Sequence, residues 1–351
     1  MPFEEPRWWY DAPDSSIARM LQPIGRIGGW FAIRRWHAAA PYRSKLPVVC
    51  VGNFTAGGTG KTPLALEVAR LLRLAGETPI FLSRGYGGKL KGPHRVAYGS
   101  DRAKDVGDEV RLLARDGEAF VARDRAAGAR AIETTVASGV CAGSVIIMDD
   151  GLQNPSLTKD FTIAVVDGGR GFGNGAVLPA GPLRASLEFQ MPLADAIVVN
   201  QHAGASRPGA VLQTLKREFP GPVLAATPEP TGDTEWLRAK PIVAFAGIGN
   251  PARFFDLLRS LGGNVVETIA FADHHPMNEA DALRVLALAA SRDAAIVTTE
   301  KDAARLHASM GTLSDLRAAA RVLPIKLSWS DGDEERLVSL LAAALKRKGQ
   351  N

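Results

Sequence analysis

The sequence has few cysteines and histidines and no long apolar run. Two of its 351 residues are cysteines, Cys50 and Cys141, and six are histidines. Both cysteines fall in apolar, strand-like segments, which favours buried thiols in a reducing compartment over a disulfide. No run reaches the ~18–20 apolar residues that span a bilayer, and the acidic and aromatic first residues are not typical of a signal peptide. We therefore expect a protein that is cytosolic or peripheral to a membrane.

A strong excess of one charge is also missing. The formal net charge is +5, with 46% hydrophobic and 23% charged residues. This composition is typical of a globular protein, and the length suits two domains of ordinary size. The mild, dispersed basic excess suits anionic substrates, nucleotides or an anionic membrane surface. It is too weak to indicate nucleic acid, so we expect no nucleic-acid partner.

Residues 48–64, VVCVGNFTAGGTGKTPL, combine an apolar strand, a glycine-rich turn and the start of an apolar-periodic helix. This context predicts a phosphate-binding loop, because glycines let backbone N–H groups surround a polyphosphate and the helix N-terminus adds positive charge. In such a loop the lysine reaches the β- and γ-phosphates and the final threonine ligates Mg²⁺. The residues expected to bind the nucleotide are Thr55, Ala56, Gly57, Gly58, Thr59, Gly60, Lys61 and Thr62.

The match to the usual pattern G-x-x-x-x-G-K-[ST] is imperfect, because Thr55 stands where the pattern has its first glycine. Gly57 and Gly58 supply extra backbone freedom nearby. The alternative is an ordinary glycine-rich turn with a chance GKT. The strand before the loop and the helix after it favour phosphate binding.

Strands and helices alternate along the chain. We expect strands near residues 47–52, 78–83, 118–122, 144–149, 162–167 and 195–200. We expect helices near residues 61–75, 108–116 and 124–138. This alternation predicts an α/β fold of the P-loop NTPase type, with a doubly wound, mostly parallel sheet, and a second such pattern predicts a smaller α/β domain. The expected segments are an N-terminal amphipathic, membrane-associating arm at 1–45, a core domain at 46–205, a linker at 206–240 and a lid domain at 241–351.

Charged residues follow several predicted strands, at the edge where doubly wound sheets bind ligands. Asp149 and Asp150 end an apolar strand, where two adjacent acids are costly without a cation, so we expect them to hold Mg²⁺ together with Thr62. Arg84, in the loop SRGYGG, is either a phosphate clamp or part of a flexible turn. Asp108 opens a predicted helix, so it is either the N-cap or the general base that a kinase needs.

Two further segments carry candidate site residues. Residues 167–188 hold six glycines and two prolines, and long irregular loops of this kind are usually functional or disordered. Arg170 and Arg184 in this loop are candidates for binding anionic groups. Asp273 and His274 form a candidate acid–base or metal pair, although the scarcity of histidine argues against zinc.

The N-terminal arm contains a predicted helix near residues 17–36, with apolar residues at helical spacing and several arginines. A basic, tryptophan-rich helix of this kind lies in the interface of a membrane. The alternative is a helix that packs its apolar stripe on the protein core. The clustering of tryptophan and arginine favours the membrane, although Pro23 weakens the helix.

The motifs VGNFTAGGTGKTP, LSRGYGG, GDE, MDDGLQ, GNG…LPAGPLR, FADHH and TTEKD occur in this order over about residues 8–306. As a set they closely resemble the tetraacyldisaccharide 4'-kinase family of the lipid A pathway, and generic NTPase structure does not explain PAGPLR or EKD. The resemblance implies transfer of the γ-phosphate of ATP, with Mg²⁺, to the 4'-hydroxyl of a tetraacyl glucosamine disaccharide 1-phosphate. It also implies a protein at the cytoplasmic face of the bacterial inner membrane, which we expect to be a monomer.

The resemblance implies roles for single residues. Asp108 looks like the catalytic base, and His274 looks like the residue that orients or tunes it. Lys61, Arg84 and Arg184 match positions that contact phosphates or substrate. The Mg²⁺ roles of Thr62, Asp149 and Asp150 carry over unchanged.

One position departs from the family pattern. The family usually has an acid directly after the PAGPLR arginine, where this chain has Ala185. Glu188, one turn later, is a candidate to compensate for the missing acid.

Two other functions remain open from the residues alone. One is a P-loop motor or switch, although Asn200 is followed by Gln201-His202 and not by a guanine-binding Lys-x-Asp. The other is a metal- or partner-loading ATPase that docks on a membrane, although no second lysine precedes Gly57 in the loop. A structural protein without a nucleotide is disfavoured by the paired acids.

Overall fold

The structure, a computed structural model, describes residues 5–10, 12, 15–201, 209–273, 275–306 and 310–349. The helices of this part are α1 Ser16–His37, α2 Lys61–Leu74, α3 Ala103–Val106, α4 Asp108–Asp116, α5 Arg125–Ala137, α6 Leu187–Gln190, α7 Ala210–Glu218, α8 Pro251–Ser260, α9 Glu279–Ser291, α10 Glu300–Arg305, α11 Thr312–Ala319 and α12 Asp333–Gly349. Its strands are β1 Val48–Asn53, β2 Pro79–Ser83, β3 His94–Arg95, β4 Ala119–Val121, β5 Val145–Asp149, β6 Phe161–Asp167, β7 Ala196–Asn200, β8 Val223–Pro230, β9 Ile242–Ala246, β10 Val265–Ala270, β11 Ala295–Thr298, β12 Ala320–Val322 and β13 Ile325–Trp329. Short 3-10 helices lie at Arg7–Trp9, Met191–Leu193 and Glu235–Arg238.

The larger sheet of the described residues has the strand order β13-β8-β7-β6-β1-β5-β2-β4-β3. The edge strands β3 and β13 pair antiparallel, and the strands between them pair in parallel. Strand β1 lies near the centre and every residue of it is buried, as expected for a parallel strand covered on both faces. The expected doubly wound, mostly parallel sheet is confirmed.

A smaller sheet of the described residues has the order β10-β9-β11-β12, with all pairs parallel. Its two faces carry separate apolar clusters, one around Phe245 and Val285 and one around Phe254 and Leu258. Separate cores on its two faces are typical of a sheet that is covered by helices on both sides. The expected second, smaller α/β unit is confirmed as an element of the fold.

The segment 206–240 differs from the expected linker. It contains helix α7 and strand β8, and β8 pairs in parallel with β7 inside the large sheet. The proline content of this segment suggested a linker. It is compatible with a strand, however, because Pro222 lies outside β8 and Pro228 and Pro230 fall in its last three residues. Residues 210–230 therefore contain a helix and a strand of the large sheet's α/β pattern, while the domain bounds remain a prediction.

The chain after β12 returns to the large sheet. Two strands follow one another closely here, β12 in the small sheet and β13 beside β8 in the large one. Pro324 stands between them, and a proline supplies no N–H to continue a ladder. Helix α12 then packs Leu337 and Leu341 against the core of the large sheet.

Helix α1 begins after Ser15, whose Oγ accepts a hydrogen bond from the backbone N–H of Ile17. Its buried residues are small, including Gly25 and Gly29. A Cβ on Gly25 would lie 2.5 Å from the carbonyl oxygen of Val177, so glycine permits the close approach.

Six large apolar residues of α1 are exposed to solvent. Those exposed are Ile17, Met20, Ile24, Ile27, Trp30 and Phe31. The alternative in which this apolar stripe packs on the core is therefore wrong. Within the described residues, no helix is both long and apolar enough to cross a bilayer.

Candidate functional site

Buried polar side chains end four neighbouring strands of the large sheet. Asn53 ends β1, Asp149 ends β5, Asp167 ends β6 and Asn200 ends β7, and each is at most 5% exposed. The carboxyl ends of these parallel strands share one edge, and in β6 and β7 Asp167 lies directly opposite Asn200. This edge is where an open α/β sheet binds its ligand.

The phosphate-binding loop is held by two of these strand-end amides. Asn53 Nδ2 donates to the Thr55 carbonyl at 2.7 Å and to Thr59 Oγ1 at 3.0 Å. Asn200 Nδ2 donates to the Thr59 carbonyl at 2.9 Å. Gly60 adopts a φ of 96°, and a Cβ there would clash with Asn200. The loop is therefore fixed in place by its own sheet.

The PAGPLR segment packs along the outer side of the loop. Leu183 bridges to Thr55, and the backbone N–H of Ala56 donates to the Pro182 carbonyl at 2.7 Å. Arg184 donates from Nε to the Thr55 carbonyl at 3.2 Å. These contacts give the PAGPLR motif a structural reason that a general phosphate-binding loop lacks.

Two cations surround the second strand-end acid. Asp150 Oδ1 accepts from Arg184 Nη1 at 2.9 Å and lies 3.9 Å from Lys61 Nζ. Burial disfavours the Asp150 carboxylate, but Arg184 and Lys61 outweigh burial and lower its pKa below the ordinary value. Asp150 is therefore ionised, and Lys61 is held at the first turn of α2.

The pKa of the first strand-end acid is shifted in the opposite direction. Asp149 is 1% exposed, and burial, with Glu109 and Asp150 nearby, raises its pKa to about 7. Its Oδ2 accepts weakly from Ser83 Oγ at 3.4 Å, and its buried Oδ1 has no hydrogen-bond partner among the described residues. Such an oxygen requires either a proton or a cation.

The donor set fits Mg²⁺. Two carboxylates, of Asp149 and Asp150, stand at one strand end, and Thr62 is a buried hydroxyl at the start of α2. Mg²⁺ in nucleotide sites takes one or two carboxylates and completes its shell with phosphate oxygens and water. Accordingly, the described residues contain no group of three or more His, Cys, Asp or Glu side chains placed to hold a metal by themselves.

A buried arginine stands behind these acids. Arg125 is 1% exposed and donates from Nη1 to the Ala122 carbonyl at 2.7 Å. Burial lowers its pKa to about 10, against the opposing influence of Asp150 and Asp149. The guanidinium therefore stays charged at neutral pH and adds positive charge below the strand-end acids.

Asp108 lies in a cluster of charges that joins the two sheets. Gly107 is the N-cap of α4 and Asp108 is its first helical residue, so the alternative in which Asp108 is the N-cap is wrong. Asp108 Oδ2 lies 2.6 Å from Arg305 Nη2 and accepts from Arg305 Nε at 2.8 Å. Lys301 Nζ lies 3.2 Å from Glu109, 3.3 Å from Asp273 and 4.0 Å from Asp108.

Both cations of this cluster, Lys301 and Arg305, stand on α10, the helix that follows β11 of the small sheet and begins within the TTEKD motif. Burial disfavours the charged form of Arg305, but Asp108 and Asp302 outweigh it and raise the pKa of the guanidinium. Burial likewise disfavours the charged form of Lys301, but the nearby carboxylates outweigh it and raise the pKa of the ammonium group. Among these carboxylates Glu109 has the largest effect. Both side chains are therefore positively charged in the folded protein at neutral pH.

A second ion pair crosses the same cleft. Arg253, in the first turn of α8, donates from Nη1 to Asp167 Oδ2 at 2.8 Å. Between the two ion pairs the backbones of Gly58 and Gly249 meet, and a Cβ on Gly249 would lie 2.7 Å from the Gly58 nitrogen. The small sheet therefore approaches the phosphate-binding loop itself.

The N-terminal arm also reaches the loop. Glu5 forms an ion pair with Arg170, and a Cβ on Gly57 would clash with the Glu5 carboxylate. Burial raises the pKa of Glu5 in spite of the opposing charge of Arg170. Arg170, expected to bind an anionic group, thus has an acid of this chain as its partner.

The structure brings most of the expected site residues together. The loop, Asp149, Asp150 and Arg184 meet at one sheet edge, and Asp108 belongs to the neighbouring cluster. Arg84 lies exposed after β2. The expected partner of Asp108, His274, lies outside the described residues.

The departure from the family pattern leaves a buried alanine. Ala185 is 0% exposed, and its carbonyl accepts from Gln190 Nε2. Glu188 is exposed on α6.

Several residues at the site were not predicted to act there: Asn53, Arg125, Asn200, Arg253 and Arg305. Asn53 and Asn200 end apolar strands, so they carry the same signal as Asp149. The arginines stand on helices, where a basic residue ordinarily faces solvent. Only the tertiary contacts show that Arg253 and Arg305 reach across the cleft and that Arg125 lies buried behind the strand-end acids.

These features define a phosphate-binding-loop protein of the P-loop NTPase fold. The chain belongs to the tetraacyldisaccharide-1-P 4'-kinase family (LpxK), whose sequence profile matches residues 17–346. This match confirms the family resemblance on which the expected residue roles are based.

Relatives and a solved structure agree with this assignment. The tetraacyldisaccharide 4'-kinase of one Methylorubrum extorquens strain is 47% identical over 348 residues, which is 97% of this chain and 99% of that one. That of Rhodopseudomonas palustris strain TIE-1 is 46% identical over 338 residues, 95% of this chain and 94% of that one. A crystal structure of LpxK from Aquifex aeolicus in complex with ATP has a TM-score of 0.70 at 23% identity and covers 94% of this chain and 99% of that chain. This likeness supports the fold.

The raised pKa of Asp149 predicts how the stability of the protein depends on pH. A carboxyl whose pKa is raised to about 7 by folding binds its proton more tightly in the native state. The free energy of unfolding therefore falls as the pH rises from the ordinary pKa of an aspartate to about 7. Asp149→Asn lacks this loss. We expect its unfolding midpoint, measured in chelator, to exceed that of the parent by several degrees at about pH 8 and to converge on it toward about pH 4. Asp116→Asn, exposed at the end of α4, serves as the control, and a pH-independent difference would contradict the buried-acid assignment.

Proposed function

We propose that this protein is a lipid kinase that transfers the γ-phosphate of ATP to the 4'-hydroxyl of a tetraacyl glucosamine disaccharide 1-phosphate in lipid A biosynthesis. One observation carries the proposal beyond family membership. A phosphate-binding loop with an acidic strand end lies beside a separate carboxylate, Asp108, that two cations hold. A nucleotide site supplies the donor phosphate, and a second carboxylate is what a hydroxyl acceptor needs.

The donor side is assigned to the loop and the two strand-end acids. The backbone of residues 55–60 binds the phosphates of ATP, and Lys61 contacts the β- and γ-phosphates. Asp149, Asp150 and Thr62 would hold Mg²⁺, which neutralises the charge of the phosphates when bound. Arg184 keeps Asp150 ionised and fixed, and Arg84 reaches the phosphates from the loop after β2.

The acceptor side is assigned to Asp108. Its carboxylate accepts the proton of the 4'-hydroxyl as that oxygen forms a bond to the γ-phosphorus. The bond between the γ-phosphorus and the β–γ bridging oxygen breaks, and ADP leaves with that oxygen. His274 is proposed to orient Asp108 during the step. The small sheet excludes water when it closes on the loop, which favours transfer over hydrolysis.

We expect Asp108→Asn to lose transfer and to keep nucleotide binding. With γ-labelled Mg-ATP and tetraacyl disaccharide 1-phosphate in detergent, the parent protein labels the lipid. Loss of a general base lowers kcat about 10²- to 10⁴-fold, whereas the KM for ATP changes little because Asp108 lies outside the phosphate-binding loop. Asp116→Asn, at the other end of the same helix, keeps the parent kcat.

Two results would contradict this assignment. Equal losses of kcat in Asp108→Asn and Asp116→Asn would remove the base role. ATP hydrolysis that persists without lipid, with no labelled lipid, would favour a membrane-docked ATPase instead.

The same function places the protein on a membrane surface. We propose that α1 lies in the cytoplasmic interface of the bacterial inner membrane and that the protein acts there as a monomer. The support is the exposed apolar stripe of α1, in which Ile27 is 59% and Phe31 is 60% exposed, together with basic residues along the helix. An apolar face flanked by arginines suits an anionic bilayer surface.

We expect Ile27→Asp to weaken binding to vesicles of anionic phospholipid about tenfold or more, because it removes an exposed apolar side chain that would insert into the interface and adds a charge that the surface repels. Leu283→Asp is the matched control, since Leu283 is 57% exposed on α9 of the small sheet. Co-sedimentation measures both variants. Equal loss of binding in the two variants, or none in Ile27→Asp, would exclude α1 as the membrane contact.

A further inference from the structure

The contact between Arg305 and Asp108 is nearly closed to solvent. The side chain of Arg305 is 8% exposed and that of Asp108 is 6% exposed. Arg305 approaches Oδ2 of Asp108 with both Nε and Nη2, at 2.8 and 2.6 Å. Oδ1 of the same carboxylate accepts from the backbone N–H of Glu109 at 3.1 Å. Both guanidinium contacts therefore fall on one oxygen, and the orientation of the carboxylate is fixed.

The position of the guanidinium is set by the small sheet. Arg305 Nη1 donates to the Asp302 carboxylate at 2.7 Å and to the Gly247 carbonyl at 2.6 Å. Asp302 is fixed in turn by the hydroxyl of Thr299 at 2.6 Å and by the backbone N–H of Gly247 at 3.1 Å. The TTEKD motif and the arginine three residues after it thus build one rigid arm.

We propose that Arg305 is a positioning residue for phosphoryl transfer, which holds the Asp108 carboxylate in its reactive orientation when the small sheet closes on the phosphate-binding loop. This inference rests on the proposed function and deepens it. It assigns the coupling between closure and chemistry to one side chain, since the arm belongs to the small sheet and the base belongs to the large one.

Other charged groups face Asp108, and their arrangement singles out Arg305. Glu109 follows on the same helix, Asp273 faces it from the loop after β10, and Lys301 comes from α10. Lys301 Nζ pairs with three carboxylates, those of Glu109, Asp273 and Asp108. Its distance to Asp108, 4.0 Å, is the longest of the three. Arg305, with Nη2 at 2.6 Å, is the nearer of these two cations, and its Nε donates a hydrogen bond to Asp108.

A purely structural role for Arg305 gives a different expectation. Arg253 also joins the small sheet to the large one, and its carboxylate partner is Asp167, at the same 2.8 Å donor distance. It carries the same charge as Arg305. Arg253→Met therefore removes a bridge across the cleft while Arg305 and Lys301 still face the base, and it is the matched control for Arg305→Met.

The test is the pH dependence of lipid phosphorylation by the two variants. We expect Arg305→Met to lower kcat about 10- to 100-fold, because the base is misplaced, with the KM for ATP little changed. Its acid limb should move about one pH unit upward or more, because the carboxylate loses its nearest cation. Arg305→Lys should recover part of both effects. Arg253→Met should leave the acid limb where the parent has it.

Two results would overturn the proposal: an unchanged acid limb in Arg305→Met, or the same shift in Arg253→Met. A gain in kcat would also do so, because Arg305 would then restrain the base.

A second measurement does not need lipid phosphorylation and so separates this inference from the proposed function. The unfolding midpoints of Arg305→Met, Asp108→Asn and the double variant are compared. We expect the double variant to be no less stable than the less stable of the two single variants, because each single change removes one opposite charge from a buried group. Additive losses would overturn the contact. If the two substitutions are coupled in their effect on stability but the parent protein labels no lipid, the proposed function fails, whereas the contact between Arg305 and Asp108 is supported.

Discussion

Arginines of the small sheet meet buried carboxylates of the large sheet across one cleft, and the candidate site depends on these pairs. Arg305 meets Asp108 and Arg253 meets Asp167, on either side of the contact between Gly58 and Gly249. A buried ion pair gains little over an apolar contact, but removal of one partner costs about 3–5 kcal/mol because a charge is left uncompensated. Each pair therefore specifies how the two sheets meet, because a closed cleft that left one of these charges buried and unpaired would carry that cost.

The same region is tied to helix α1, whose apolar residues are exposed. Gly25 and Gly29 of α1 pack on the chain at Val177, a few residues before the segment that bonds the phosphate-binding loop through Pro182 and Arg184. The path from helix to loop is short, and at Gly25 the backbones approach so closely that a larger side chain would clash with Val177. A substrate with its acyl chains in the bilayer and its sugar above it would meet α1 and the loop together, which suits a kinase that works at an interface.

Much of this fold followed from the sequence, because its signals were local. Buried strands with turn residues after them predicted the elements of the large sheet, and the residues GKT and MDD predicted the candidate nucleotide site. The proline-rich stretch around Pro228 hid strand β8, since composition there opposed a strand that only pairing with β7 and β13 supports. Arg305 and Arg253 escaped notice because nothing in a helical arginine tells whether it faces solvent or a carboxylate far away in sequence.

The central claim, that these two ion pairs hold the sheets together over the loop, is tested most directly by a distance measurement. Spin labels at Thr134→Cys on α5 and Arg284→Cys on α9, both exposed positions, report on the large and small sheets; Cys141, the partly exposed cysteine, is replaced by serine. Pulsed electron resonance should give one narrow distance distribution in this background. Adding Arg253→Met and Arg305→Met together should broaden and lengthen it. An unchanged distribution would contradict the account.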